Sequence, residues 1–284
     1  MGGMLLGRAA RFGYLNARCR TLKSKLLDRD LLRNAVTAEG LGEIYSLLKS
    51  TPYAPYINSA RRETILNGLE ESFKELYKKS TSALTKDEKR IFDLFFIERE
   101  AMESRRAAFK SGDESYLEYK RVELEYLKRV KAALEKMERS LKRDLAAIVG
   151  SYFDCLNLYT IVRLRLLYKK EPEEVVPFLV PYGIAFGMKE LSKVAGMSGI
   201  GEISDALHGK IGTPFGGYRE FMRALREFHM RAIERVWYGY PFKISVIFSL
   251  LRMKELEIKD IRALVEGLYY GLPEDEIAKM VGGV

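Results

Sequence analysis

Cysteine and histidine are both scarce in this chain, and their scarcity excludes two kinds of site. The two cysteines, Cys19 and Cys155, are too few for a disulfide scaffold and fit a reducing compartment. The two histidines, His208 and His229, stand far apart in sequence, without cysteine or carboxylate partners at ligand spacing. Because zinc and related metals need such clusters, the sequence predicts no metal site.

Long apolar runs are also absent. The longest uncharged stretch, residues 175–188, is interrupted by Pro177, Pro181, Gly183 and Gly187. A membrane-spanning helix needs about 18 or more apolar residues in succession, so no segment is predicted to cross a membrane by itself. With 284 residues and 47% hydrophobic content, the chain can instead bury a sizeable core.

Acidic residues are missing from the first 27 positions, which carry six basic ones. An arginine-rich, acid-poor start is typical of a transit segment, although Ser24 is its only serine. A nucleic-acid patch is a second interpretation, but no stacking platform is interleaved with the basic side chains. The favoured interpretation is a solvated basic helix face that carries Arg8, Arg11, Arg18, Arg20, Lys23 and Lys25.

Proline is absent from residues 84–170, where glycine occurs only at Gly112 and Gly150. This stretch is therefore predicted to be helical, with one helix ending and another starting near residues 111–114. Beyond that point apolar residues recur at an average spacing of about 3.6, the period of a straight α-helix. One long helix is predicted, with a buried face that carries Leu127, Val130, Leu134, Met137, Leu141, Leu145, Ile148, Tyr152 and Leu156. Its charged face, expected to meet solvent or a wide opening, carries Arg121, Glu125, Lys128, Lys131, Glu135, Glu138 and Lys142.

Motifs for catalysis and nucleotide binding are lacking. The glycines at positions 196, 199 and 201 form neither a dinucleotide fingerprint nor a P-loop. Lys210 follows Gly209 but precedes Ile211, where a Walker A loop would carry serine or threonine. No Gly-x-Ser-x-Gly elbow occurs, and paired carboxylates on helix faces are best explained as solvated ion pairs. The sequence thus predicts no catalytic residue, no cofactor and no small-molecule substrate.

The most informative positive signal is the segment that follows residue 240. Its apolar residues have the spacing of one buried helical face, at Ile247, Leu251, Ile258, Ile261, Val265 and Leu268. Gly271 is predicted to end this helix in a left-handed conformation, and Pro273 to prevent its continuation. Pro273 also favours the start of a last helix, whose positive N-terminal end would lie beside Glu274, Asp275 and Glu276.

A weak internal repeat is visible. TPY at residues 51–53 and TPF at residues 213–215 are each followed three residues later by a tyrosine. Leu-Asn pairs precede them at residues 15–16 and 156–157, and basic–acidic pairs follow them at residues 99–100 and 254–255. The offsets between the pairs differ, so the pattern fits either two helical units with insertions or chance.

Several passages resemble one protein family, in the same order along the chain. They are YLNAR at residues 14–18, FDCLNL at residues 153–158 followed by Arg163 and Arg165, GTPF at residues 212–215, and the run over residues 240–273. They resemble the C subunit of archaeal and bacterial A/V-type rotary ATPases, called the d subunit in the eukaryotic vacuolar enzyme. The resemblance covers residues 12–60 and 150–280 well and residues 61–149 poorly.

The resemblance implies an all-α fold of repeated helical units around a central socket, like a funnel, here with a long charged helical insert. It implies a non-catalytic central-stalk adaptor, peripheral on the cytoplasmic face of the membrane, that couples the rotor shaft to the membrane ring during proton or sodium transport linked to ATP synthesis or hydrolysis. The implied partners are shaft subunits of the D and F type and the proteolipid ring. The family has a pseudo-threefold axis, whereas two units are recognisable here, which argues against a closed three-part funnel.

We expect a single all-α body over residues 1–284, with units at residues 12–106 and 151–284 and a helical insert at residues 107–150. Two alternative classes remain. A basic nucleic-acid-binding helical protein is compatible with an isoelectric point near 9.3. A helical scaffold unrelated to ATPases is compatible with the same composition.

The candidate site residues are of two kinds. Asp154 and Asn157 lie one helical turn apart, so both can bond a neighbouring backbone or arginine and fix a helix junction. The other structural candidates are Arg163, Lys254 and Glu255, as surface partners or internal ion pairs, and Gly271, as the residue that ends a helix. The turn after residue 212 and the basic face are predicted partner contacts, through Arg8, Arg11, Arg18, Thr213, Pro214 and Phe215.

Overall fold

A computed structural model describes the backbone of residues 2–92, 94, 95, 97, 115–240 and 243–282. It describes the side chains of residues 10–92, 94, 95, 97, 121, 122, 124–240 and 243–282. Within these ranges the regular structure is helical and contains no strand. The predicted all-α class is therefore confirmed, as expected for a sequence without sustained period-two alternation.

The α-helices of the described residues are numbered α1 to α13 along the chain. They are Gly2–Lys23, Arg29–Asn34, Leu41–Lys49, Arg62–Thr81, Lys86–Lys89, Ser115–Glu135, Arg139–Val162, Pro172–Val175, Met188–Ala195, Ile200–Ile211, Tyr218–Glu234, Ser245–Tyr269 and Glu274–Met280. Short 3₁₀ turns join several of them, and the π-helical turn Arg163–Leu167 continues α7.

Some of the sequence predictions fall outside the described residues. These are the helix boundary at residues 111–114, the repeat pair at residues 99–100, the side chain of Arg8, and residues 241–242 at the start of the C-terminal run.

Two compact units are distinguishable in the chain. One combines Met1–Ala83 with Leu225–Val284, and the other is Leu84–Ala224. We refer to them as the terminal unit and the middle unit. The expected single body, and the units at residues 12–106 and 151–284 with an insert at residues 107–150, remain predictions.

Helix α12 forms the centre of the terminal unit. Ile258, Ile261 and Val265 belong to one buried cluster with Leu48 of α3 and Leu69 of α4. Ile247 and Leu251 are also buried, and Leu268 packs at the margin of the cluster. The apolar face predicted for this helix is thus its core face, since residues three and four apart lie on one side of a helix.

The end of α12 is a Schellman motif. Gly271 has φ 64°, in the left-handed region. Its N–H donates to Leu268 O at 3.2 Å, and the N–H of Leu272 donates to Gly267 O at 2.9 Å. These bonds satisfy carbonyl groups that the helix end would otherwise leave unpaired. Helix α13 then starts directly after Pro273.

Replacing Gly271 with valine is expected to destabilise the protein by about 1 kcal/mol or more, because a β-branched residue resists positive φ. A Cβ at this position would meet no neighbouring atom within 4 Å, so the effect isolates backbone strain. Urea denaturation of Gly271→Val and Gly271→Asn measures it, with asparagine as the matched control that tolerates this conformation better. Equal stability of both variants and the wild type would show that the left-handed conformation is not required.

The predicted long helix over residues 127–156 is wrong, because the chain reverses direction within it. Helix α6 ends at Glu135, and Glu138 has non-helical backbone dihedral angles (φ −57°, ψ 143°) before α7 begins. The rings of Tyr126 and Phe153 lie 5.4 Å apart, whereas a continuous helix would separate these positions by roughly 40 Å. The apolar spacing continues across the break because both helices bury residues in the same unit. The predicted charged face is exposed, at Arg121, Glu125, Lys128, Lys131, Glu135, Glu138 and Lys142.

One helical stretch in the described residues, Arg139–Leu167, is long and apolar enough to span a membrane by length and composition alone. Its most apolar window has a mean hydropathy of 1.5, and 67% of that window is buried inside the protein. A core helix gives the same hydropathy signal, and the burial accounts for the apolar composition of this helix.

Candidate functional site

The carboxylate of Asp154 in α7 holds a loop of the middle unit. Its two oxygens accept hydrogen bonds from the backbone N–H groups of Ile184 (3.0 Å), Ala185 (3.0 Å) and Phe186 (3.3 Å). The side chain is fully buried, and burial raises the pKa of Asp154 while the three donors oppose that rise. A Cβ on Gly183 would overlap this carboxylate, so only glycine fits there.

Asn157 holds the same loop one helical turn further along α7. Its side-chain amide donates to Val180 O at 2.9 Å, and its carbonyl oxygen accepts from Val180 N–H at 2.8 Å. Lys210 of α10 contacts the loop as well, through bonds of 2.6 Å to Ala185 O and to the Glu190 carboxylate. Asp154 and Asn157 therefore hold the same loop, residues 180–186, against α7. Both side chains are used in these hydrogen bonds, as expected for residues that fix a helix junction.

Arg163 and Arg165 do not join this arrangement. Both lie in the π-helical turn, where Arg163 donates to the Tyr168 hydroxyl at 3.3 Å. The Arg165 Nε–H donates to Ala195 O at 2.7 Å, and another of its N–H groups bonds Lys170 O. The two arginines thus fix the end of the helix. Lys169 follows with φ 55°, a left-handed conformation that non-glycine residues adopt rarely.

A buried polar network occupies the terminal unit, with Glu257 of α12 at its centre. One carboxylate oxygen accepts from the Tyr53 hydroxyl (2.7 Å) and from Lys254 Nζ (2.8 Å), and the other accepts from Leu27 N–H (2.6 Å). The Lys254 ammonium also lies 3.7 Å from the centroid of the Tyr53 ring. Burial lowers the pKa of Lys254, although Glu257 opposes that change. Lys254 is therefore part of an internal ion pair rather than a surface contact.

A second buried ion pair lies further along α12. Arg226 Nη2 and Asp260 Oδ2 are 2.9 Å apart, and the other oxygen of Asp260 accepts from Gly282 N–H at 2.9 Å. This contact ties the segment after α13 to α12. His229 is buried in the same unit, and burial holds its pKa well below the usual range. The candidate Glu255 is half-buried and pairs with Arg252 at 2.6 Å.

The basic face of α1 is partly engaged in the fold. Arg18 donates to the Ser82 hydroxyl at 3.2 Å, and the Arg11 guanidinium lies 5.0 Å from the centroid of the Phe12 ring. Arg20 donates to Asn16 at 2.9 Å and to the Trp237 carbonyl at 3.1 Å. The expected solvated face therefore also holds α1 in the terminal unit.

The predicted contact turn after α10 has a buried and an exposed part. Phe215 is 4% exposed, its ring lies 5.2 Å from that of Phe221, and its N–H donates to the Ser204 hydroxyl at 2.9 Å. Pro214 is exposed. Tyr53, at the corresponding place in the repeat, is fully buried. The aromatic residue after Thr-Pro thus packs inward in both places, which leaves Pro214 and the half-buried Thr213 as the outward part of the turn.

The described residues offer little for chemistry. They include no group of three or more His, Cys, Asp or Glu side chains that could hold a metal ion. Gly209 and Lys210 lie inside α10, so they form no phosphate-binding loop there. Burial raises the pKa of the Cys19 thiol to about 12, which makes it a poor nucleophile at neutral pH. The buried acids Asp154, Glu257 and Asp260 are all bonded within the protein.

Sequence reasoning missed Glu257, Tyr53 and Leu27 as one network. Glu257 and Tyr53 are 204 positions apart, a separation that local patterns do not register. One signal could have found part of it. Lys254 and Glu257 fall at helical spacing from Ile258 and Ile261, so they interrupt the predicted apolar face with two opposite charges, as buried pairs do.

Fold and site together define a class: a helical protein whose buried residues Asp154, Lys254, Glu257 and Asp260 bond within the fold. Comparison with known sequences gives the family. The profile of the ATP synthase (C/AC39) subunit family matches residues 15–103 and 106–280, so the chain belongs to that family. The predicted family resemblance is confirmed, and the match includes much of the middle region in which the motifs are weak.

A curated relative supports the same assignment. The C subunit of the A-type ATP synthase of Archaeoglobus fulgidus is 28% identical over 138 residues. The aligned region covers 45% of this chain and 38% of the relative, so it spans well under half of that protein's length.

Proposed function

We propose that this protein is a non-catalytic adaptor in the central stalk of an A/V-type rotary ATPase. The observation that carries the proposal is the family match over most of the chain. The side chains support it too, because the buried acids and lysine of the described residues are committed to internal bonds. A protein of this kind works through its surfaces.

The proposed task is mechanical. The adaptor would lie on the cytoplasmic face of the membrane and connect shaft subunits of the D and F type to the proteolipid rotor ring. Torque would pass through it between ATP synthesis or hydrolysis and proton or sodium transport. Close-packed helical interiors suit this task because they are hardly compressible. Internal ties such as Asp154 to residues 184–186 would limit deformation of individual loops under load.

The basic face of α1 is the proposed contact for one of these partners. Changing Arg8, Arg11 and Arg18 together to glutamate is expected to reduce recovery of shaft or ring subunits, most strongly at low salt, where screening is least. The measurement is co-purification from native membranes at low and high salt.

Stability must be followed in the same experiment, because Arg18 bonds Ser82 and Arg11 lies against Phe12. The matched control changes the exposed Lys78, Lys136 and Lys142 to glutamate, which alters net charge equally. Partner recovery that is the same for both triple variants at both salt concentrations would remove the basic face from the mechanism.

A further inference from the structure

Two acid-free segments of the chain meet in the terminal unit. Residues 1–27 contain no aspartate or glutamate, and neither do residues 235–254. Helix α1 brings them together, since Arg20 donates to the Trp237 carbonyl at 3.1 Å. The Lys23 ammonium lies 4.8 Å from the centroid of the Trp237 ring. The two positive segments thus form one local surface that is not apparent from either alone.

Two exposed tyrosines project from this local surface. Tyr238 is 74% exposed and Tyr240 is 63% exposed, although large aromatic side chains usually bury more of their area. The residue that precedes them, Trp237, is fixed in the fold, because it is 7% exposed and its indole N–H donates to the Ser249 hydroxyl at 2.7 Å. We name the group formed by Arg20, Lys23, Arg235, Tyr238 and Tyr240 the tyrosine–basic surface.

The charge of this surface is positive. Its acidic neighbour in sequence, Glu234, pairs with Arg29 at 3.1 Å, so its charge is locally compensated. Arg235 and Arg20 are exposed, and Lys23 is half-buried. A second exposed pair, Tyr269 and Tyr270, is followed by Glu274, Asp275 and Glu276. Arg62 lies 5.1 Å from the centroid of the Tyr269 ring, but its charge is compensated by Glu266 at 2.6 Å. The chain therefore supplies its own comparison between tyrosines beside an acid-free basic segment and tyrosines whose neighbouring charges are acidic or paired.

We propose that the tyrosine–basic surface binds the headgroups of an anionic phospholipid membrane. Tyrosine rings favour the boundary between water and acyl chains, where the ring is apolar and the hydroxyl remains wet. Lysine and arginine beside them attract anionic lipid phosphates. A specific protein partner would need to bury a complementary interface of roughly 800 Å² on each side. A fluid lipid surface needs no such interface, because it adapts its shape to two projecting side chains. The proposal deepens the proposed function, which brings the chain to a membrane, but its test needs no rotor subunit.

The test is flotation of the purified full-length chain with protein-free vesicles. The chain is expected to float with vesicles of phosphatidylcholine and phosphatidylglycerol and not with phosphatidylcholine alone. Replacing Lys23 and Arg235 together with glutamine is expected to weaken binding roughly 25-fold, at about fivefold for each basic residue. Tyr238→Ser with Tyr240→Ser is expected to weaken it several-fold, with an unchanged melting temperature.

Two matched variants serve as controls. Tyr269→Ser with Tyr270→Ser, and Lys78→Gln with Lys136→Gln, are expected to bind anionic vesicles as the wild type does. The proposal is overturned if the wild type binds no vesicle, if it binds neutral and anionic vesicles equally, or if the two tyrosine variants behave alike. A wild type that recovers rotor subunits but binds no vesicle would overturn the lipid contact and leave the adaptor function intact. Binding to anionic vesicles without recovery of rotor subunits would support the lipid contact and overturn the adaptor function.

Discussion

Replacing Glu257 with glutamine is expected to lower the free energy of unfolding by about 3–5 kcal/mol, because the buried Lys254 loses its countercharge. Both side chains are almost fully buried, at 5% and 6% exposure, so solvent cannot substitute for the missing partner. The Tyr53 hydroxyl and the Leu27 N–H also lose a charged acceptor. Urea denaturation measures the change, since the midpoint shifts while the slope stays constant.

A double variant separates the lost charge from the lost packing. Lys254→Met combined with Glu257→Gln removes both charges and is expected to recover part of the stability that Glu257→Gln loses. As a surface control, Lys279→Ala removes exposed pairs with Asp275 and Glu276 and should leave the midpoint nearly unchanged. If Glu257→Gln behaved like the surface control, Lys254 would not be held as a buried charge.

Replacing Asp154 with alanine is expected to destabilise the protein by about 2–4 kcal/mol, since three backbone donors lose their acceptor. The bond from Phe186 N–H is buried, whereas those from Ile184 and Ala185 are partly buried, so the Phe186 N–H is the donor least able to bond water instead. Asn157 would still hold Val180, so the loop should loosen mainly at residues 184–186.

Hydrogen exchange of the amides at residues 184–186 reports this loosening directly, alongside urea denaturation. Protection at these amides is expected to fall in Asp154→Ala and to persist in Asp205→Ala, which changes an exposed carboxylate of the same unit. Unchanged protection in Asp154→Ala would mean that the loop is held by other contacts.

Local signals were sufficient to predict some features from sequence. The end of α12 depends on one glycine and the residues beside it, so capping rules locate it. The core face of the same helix follows from spacing alone. The prediction that Asp154 and Asn157 fix a helix junction also follows from their spacing. Their partners in residues 180–186 could not be predicted in this way, because packing within the folded unit sets the conformation of that loop.

Other features depend on contacts that sequence patterns do not contain. The reversal between α6 and α7 lies at residues 136–138, where neither glycine nor proline marks a break. The apolar period continues across it, so periodicity predicted a single helix. The partial engagement of the basic face escaped prediction for a related reason. Arg18 and Ser82 are 64 positions apart, and charge alone does not distinguish a solvated arginine from a bonded one.

As the proposed adaptor, this chain connects two parts of a rotor, the shaft and the membrane ring. The most direct measurement uses the tagged wild-type chain as bait in mild-detergent extracts of native membranes, followed by identification of the proteins that co-purify. The adaptor function predicts that shaft subunits and the proteolipid ring are recovered together, in constant ratio through a size-exclusion step. Recovery of neither partner, with nucleic acid or unrelated proteins in their place, would contradict it.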